Sequence, residues 1–267
     1  MASTSEPKPG GSSPAPFRNK NWRAKKNKET IHVVIPKILK ASPRAQSAIT
    51  RSKMIPYTPG FEPLKKVQPS ESSPSDTPTL PKITIIQSDT FDAAVALVSS
   101  KPGTRVGVLN MASSYQPGGG VLKGSIAQEE SLCSRSTLYP SLKDSFYRLP
   151  NLSAIYSPDI VVFRNSELNG TAILPKAEWT FVDVISCAAL KGPDVDVDAP
   201  GRKIYAREKD KETMTLKVRL ILQIAREMGI TRLVLGALGC GAYANPLEEV
   251  ARIFKKVICG DSRKYGI

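Results

Sequence analysis

Apolar residues along this chain come in short runs, and the spacing within each run sorts it into strand or helix. Residues 83–86 (Ile-Thr-Ile-Ile), 105–110, 160–163, 181–185 and 233–235 are aliphatic or β-branched runs of strand length. Between them lie stretches with apolar residues at every third or fourth position. Residues 91–98 follow Asp89, a residue type that caps helix N-termini well. Leu216, Leu220, Ile224 and Met228 line one face of a helix over 212–228, and another is expected over 247–258. A long helical stretch is expected from Gln128 to about Tyr147. Near the N-terminus, Ile31, Val34, Ile35, Ile38 and Leu39 form an apolar set within 21–41, where Pro36 argues against one straight helix. Short apolar strands alternating with helices predict an α/β/α sandwich around a largely parallel sheet, with no internal repeat.

Composition divides the chain further. Residues 1–20, rich in Ser, Pro and Gly, are expected to be a disordered tail. Residues 21–56 form a helical accessory segment. Residues 42–81, full of Pro, Ser and Thr, are expected to be a linker or wrapping arm, with 57–81 as the linker proper. Residues 82–267 make the folded domain. Residues 191–203 are expected to be a Gly/Pro/Asp-rich loop. At 267 residues the chain has room for one full domain plus extra segments.

Charge and side-chain inventory narrow the chemistry. Residues 1–80 carry 14 Lys and Arg against 5 Asp and Glu, and the remainder 24 against 19. A basic leading arm suits polyanions such as nucleic acid, and the bland alternative is a solvated tail. No apolar run approaches transmembrane length, and the N-terminus has no signal-peptide apolar region, so no membrane association and an intracellular location (nucleus or cytoplasm) are expected. The four cysteines, Cys133, Cys187, Cys240 and Cys259, show no Cys-x-x-Cys spacing, which speaks against a zinc site or disulfide framework. His32 is the only histidine, so imidazole-based triads, dyads and zinc hydrolysis are excluded. Acid–base work falls to carboxylates, Lys, Tyr or Cys.

Two glycine loops stand out. Gly118-Gly119-Gly120 follows the 105–110 strand, and three glycines let backbone N–H groups approach an anion closely. Ser125 and Gln128 match a Ser-x-x-Gln capping box, which puts Gln128, Glu129 and Glu130 in a first helical turn beside that loop. Adjacent helical glutamates point about 100° apart, so Glu129 and Glu130 are not expected to share one task. The second loop, residues 236–246, follows a strand and precedes a helix, the position where parallel α/β sheets bind ligands and where a helix N-terminus favours phosphate. Gly239, Gly241 and Ala244 satisfy a dinucleotide pattern, yet too little chain follows for the βαβ unit it requires. A Walker loop also fails, because Lys123 precedes Gly124. Together the two loops point to a nucleoside-diphosphate ligand.

A triple glycine, a short spacer and Gln-Glu-Glu resemble the signature of poly(ADP-ribose) glycohydrolases, in the microbial branch found in bacteria and fungi. The resemblance runs through residues 89–94, 108–112, 116–120, 128–133, 135–139, 155–158, 162–164 and 233–246, spanning about 82–258, with a fainter match over 20–56. It implies a macrodomain fold binding ADP-ribose, and hydrolysis of the ribose–ribose bond of poly(ADP-ribose). By the same resemblance, Glu130 is the catalytic acid/base. Glu129 and Asn110 face the ribose, with Gln128 beside them. Gly118, Gly119 and Gly120 shape the loop around that ribose. Gly239, Cys240, Gly241 and Ala242 cradle the pyrophosphate, and Tyr243 flanks the ligand. Asp89 is a candidate adenine contact, though a helix cap is the stronger expectation.

The implied partners are poly(ADP-ribose) or ADP-ribosylated proteins, with turnover of that mark in DNA-damage signalling. A monomer without cofactor or metal is expected, a carboxylate-bound Mg²⁺ being the exception to test. Family members continue into a final strand that residues 261–267 do not resemble, so the sheet is expected to lack it. Two alternatives therefore stay open: a hydrolase removing single ADP-ribose units, and a non-catalytic ADP-ribose reader.

Overall fold

A computed structural model describes residues 19–60, 82–166 and 172–260. The expected tail over 1–20, most of the linker over 57–81 and the question of a last strand over 261–267 lie outside the described residues. The helices are α1 (Lys20–Glu29), α2 (Ile35–Ala41), α3 (Pro43–Arg51), α4 (Thr90–Ser100), α5 (Gln128–Arg135), α6 (Glu208–Glu227) and α7 (Leu247–Cys259). The strands are β1 (Lys53–Pro56), β2 (Val106–Met111), β3 (Ser153–Val162), β4 (Thr180–Cys187), β5 (Val195–Val197), β6 (Lys203–Tyr205) and β7 (Arg232–Val234). The main sheet has the order β1-β3-β4-β2-β7. Strands β4, β2 and β7 run parallel, while β3 and β1 add in antiparallel fashion at one side.

Alternation along the strands makes the three layers. Val106 and Val108 of β2 and Val182 and Val184 of β4 face one core with Phe91 of α4 and Leu132 of α5. Leu109 and Ile185, one position out of phase, face a second core with Met214 and Ile221 of α6 and Val250 and Ile253 of α7. The sheet is thus apolar on both faces, as strands covered by helices on both sides must be.

The N-terminal segment is continuous with this body. α1 and α2 are joined by a π-turn over Thr30–Val34, closed by Ile35 N–H donating to Thr30 O. The wide turn falls just before Pro36, whose ring and missing N–H disfavour a regular helical register there. The stretch expected to be linker from 42 onward contains α3, capped by Ser42, and β1, which pairs with β3 in the main sheet. Pro43 sits at the first helical position, where its missing N–H costs nothing.

Three further expectations are corrected. Residues 83–86 form no strand: Ile83, Ile85 and Ile86 are exposed, and no described strand pairs with them. β-propensity records a fit to a pleated, half-buried surface, and this run lacks that surface here. The helix expected to reach Tyr147 ends at Arg135, because Ser136 turns extended and bridges to Val162 while Thr137 exchanges hydrogen bonds with Val161. Pro140 follows, and only 3₁₀ turns over Tyr139–Ser141 and Asp144–Phe146 remain. The 191–203 loop carries a small ribbon of β5 and β6, whose turn Arg202 and Asp198 close by an ion pair.

Candidate active site

The site is built at the carboxyl ends of β2 and β4. Parallel register sets Asn110 beside Ser186, on the same face as Val108 and Val184 but one step past the apolar core. Asn110 is fully buried, and its Nδ2 donates to Ser186 Oγ (3.0 Å) and to Glu129 Oε1 (3.3 Å). Its Oδ1 has no partner within the protein.

α5 begins beside this pair. Ala127 occupies its N-cap without a side-chain bond, so the expected Ser125–Gln128 capping box does not form. Gln128 is drawn elsewhere. Its Oε1 accepts from Met111 N–H (2.8 Å) and its Nε2 donates to Leu109 O (2.7 Å). The amide thereby completes the edge of β2 beyond the end of β7.

Glu129 points inward and is 3 % exposed. Its Oε2 accepts from Ser113 N–H (2.8 Å). Burial pushes its pKa up to about 8, against the hydrogen bonds from Ser113 and Asn110 and with help from the charge of Glu130. Glu130 points toward the glycine loop, where its Oε1 accepts from Gly120 N–H (2.7 Å), and its Oε2 is buried with no partner. The two side chains leave the helix in different directions yet converge on Gly119. A Cβ at that residue would lie 2.8 Å from Glu130 Oε1 and 2.9 Å from Glu129 Oε2. Gly119 also has a φ of +55°, so both its backbone and its bare Cα are required.

The glycine loop is clamped from outside by the N-terminal helix. Asn27 Nδ2 of α1 donates to Val121 O (3.0 Å), and Arg23 Nε donates to Gly124 O (2.9 Å). Gly124, with φ +76°, lets the α1 backbone press directly on the turn: a Cβ there would collide with Lys20 O and stand 2.9 Å from Ala24 N. The accessory segment is therefore part of the site's construction.

The second loop lies beyond β7. Gly239 (φ +75°) packs against Ala189 and Asn245, leaving no room for a Cβ. Asn245 ties the loop to the end of β4: its Nδ2 donates to Leu190 O (2.7 Å) and Gly239 O (3.1 Å), and its Oδ1 accepts from Tyr205 Oη (2.9 Å). Gly241 and Ala242 are exposed, Cys240 and Tyr243 half-buried, and nothing stands within 4 Å of where a Gly241 Cβ would be. The buried hydroxyl of Tyr147 has no partner, and burial, with smaller contributions from Glu129 and Tyr243, holds its pKa well above the usual phenol range.

Comparisons with known proteins agree with this geometry. The model of the microbial-type PARG catalytic domain matches residues 29–165, more than half of the chain. The chain belongs to that family. Among solved structures it is similar to poly(ADP-ribose) glycohydrolase from Thermomonospora curvata, with 26% identity and a TM-score of 0.68, covering 87% of this chain and 86% of that one. It is also similar to the enzyme from Deinococcus radiodurans in complex with ADP-ribose. One such structure has 25% identity and a TM-score of 0.58 over 82% of this chain and 85% of that one. Another has 31% identity and a TM-score of 0.52 over 64% and 68%. Comparison with curated proteins yields no match. Among the described residues, no cluster of His, Cys, Asp or Glu could hold a metal ion.

Within this microbial-type PARG, Asn110, Glu129, Glu130 and Gly118–Gly120 form one cluster. Gly239, Cys240, Gly241, Ala242 and Tyr243 form the second loop. Asp89 begins α4 and lines one cavity with Glu130. It caps α4 through Phe91 N–H (2.8 Å) and Asp92 N–H (3.1 Å), and it pairs with buried Arg135, which also holds Asp92 at 2.6 Å. Sequence reasoning missed Ser113, Ser186, Tyr147, Asn245 and the α1 clamp. Of these only Ser186 carried a signal, since two parallel strands ending together place it opposite Asn110.

Proposed function

We propose that this chain hydrolyses the ribose–ribose O-glycosidic bond of poly(ADP-ribose), releasing ADP-ribose, with Glu130 as the single acid/base. The observation that carries the proposal is Glu130 itself. One carboxyl oxygen is pinned by Gly120 N–H while the other is buried, unpartnered and set at the glycine loop. In the first half-reaction the protonated Glu130 gives its proton to the departing ribose oxygen as the C1–O bond breaks, leaving an oxocarbenium-like ribose. In the second, the Glu130 carboxylate takes a proton from water as its oxygen bonds to C1. Glycosidases of the common type place two carboxylates across the scissile bond. Here both converge on Gly119, so Glu129 serves differently: neutral up to about pH 8, it holds the ribose hydroxyls with Asn110 and spares Glu130 a like charge. The exposed N–H groups around Gly241 and Ala242 receive the pyrophosphate.

Incubation with labelled poly(ADP-ribose) and with a mono-ADP-ribosylated protein tests this. Release of ADP-ribose from polymer by the wild type and not by Glu130→Gln supports the proposal. Release from the mono-modified protein alone favours a mono-ADP-ribosyl hydrolase, and binding without release favours a reader.

A further inference from the structure

Glu130 also lines a cavity to which no residue of the second glycine loop contributes. This cavity, of about 230 Å³, lies between α1, the outer face of α5 and residues 164–166. Arg164, which lines it, is 5 % exposed, and its Nε and Nη1 have no partner. Ser166, 4 % exposed, presents an unpartnered Oγ beside it. Arg135 and Asp89 also line the cavity, paired with each other, and Asp92 neutralises Arg135 further. Arg23 and Lys26 of α1 border the space as well. Burial lowers the pKa of Arg164, an effect that the charge of Glu29 offsets only in part.

A buried guanidinium with free N–H groups, next to a free hydroxyl and basic side chains, recognises a phosphate. Glycosidic cleavage needs room on both sides of the scissile oxygen. If the ADP-ribose being released occupies the glycine loops, the group departing from it lies across Glu130. In the polymer that group is a second ADP-ribose unit, which carries a pyrophosphate. We propose that this cavity is the subsite for the departing unit, and that Arg164 and Ser166 bind one of its phosphates. The proposal rests on the reading of the site given above and adds the position of the leaving chain.

The test is a titration of the full chain, blocked by Glu130→Gln, with ADP-ribose and with its ribose–ribose-linked dimer. The dimer binds more tightly than the monomer, and adding Arg164→Met weakens the dimer roughly 10- to 100-fold, the loss expected for a hydrogen bond to a charged group, while the monomer changes less than about twofold. Arg164→Lys restores part of the difference. Should Arg164→Met fail to fold, Ser166→Ala shows the same selective loss, roughly 3- to 10-fold. Equal affinity for monomer and dimer overturns the subsite, as does a variant that weakens both alike. Selective dimer binding by a wild-type chain that cleaves no polymer would instead sink the catalytic reading and leave the subsite standing.

Discussion

Gly119→Ala tests the convergence of the two carboxylates most sharply. The residue has φ +55°, where an L side chain costs roughly 1–2 kcal/mol. The added Cβ would stand 2.8 Å from Glu130 Oε1 and 2.9 Å from Glu129 Oε2, closer than real Cβ contacts come. Both neighbours are side-chain ends, so they give way before the backbone does. Total destabilisation is expected at roughly 1–3 kcal/mol, a fall in Tm of about 2–4 °C per kcal/mol for a domain of this size. The catalytic effect is larger. Glu130 must retreat by about half an ångström and loosen its hydrogen bond to Gly120, and misplacements of about 1 Å cost on the order of 10²-fold in rate. The assay pairs thermal unfolding with release of ADP-ribose from polymer. A folded variant with kcat within about threefold of wild type would refute the geometry.

Other outcomes follow from the same contacts. Gly239→Ala would collide with Ala189 and Asn245 and is expected to destabilise the fold by about 3 kcal/mol or more, measured by chemical denaturation. Gly241→Ala keeps its N–H and its added methyl meets nothing in the protein, so it should leave stability unchanged while the methyl crowds a pyrophosphate bound there, read by calorimetric titration as weaker ADP-ribose binding. Asn27→Ala removes a buried bond to Val121 O and should cost roughly 1–3 kcal/mol and loosen the glycine loop, read as a rise in KM. Glu129, raised by burial to about pH 8, contributes stability that is fully present below its unfolded value near 4.5 and is lost as pH rises through 8. Unfolding free energy should therefore fall across that window, by up to about 1.4 kcal/mol per pH unit, and Glu129→Gln should flatten the slope.

Local signals were legible where a residue acts on its own neighbours. Asp89 caps α4 as its position before an apolar run predicts, and the alternation in β2 and β4 sorts the two cores. The glycine loops fall at strand ends as expected. What escaped the sequence depends on distant partners. Gln128 abandons the capping box because the end of β2 offers its amide two backbone groups at once, 17 and 19 residues away in the chain. The run 83–86 has strand propensity but no described strand beside it. Thr137 and Ser136 end α5 early because β3 competes for their backbone. The α1 clamp joins residues 94 and 101 positions apart, a pairing that no local pattern records. Adjacent glutamates do diverge at Cβ, yet flexible side chains and a bare Gly119 bring their carboxylates back together.

Glu130→Gln is the decisive substitution, because it keeps the shape and the bond to Gly120 within reach while removing the transferable proton. Single-turnover release of ADP-ribose from polymer, measured beside ADP-ribose affinity in the same variant, reads the central claim directly. A rate loss on the order of 10³-fold or more with affinity within about threefold of wild type is the expected result. Release at a near wild-type rate would contradict it.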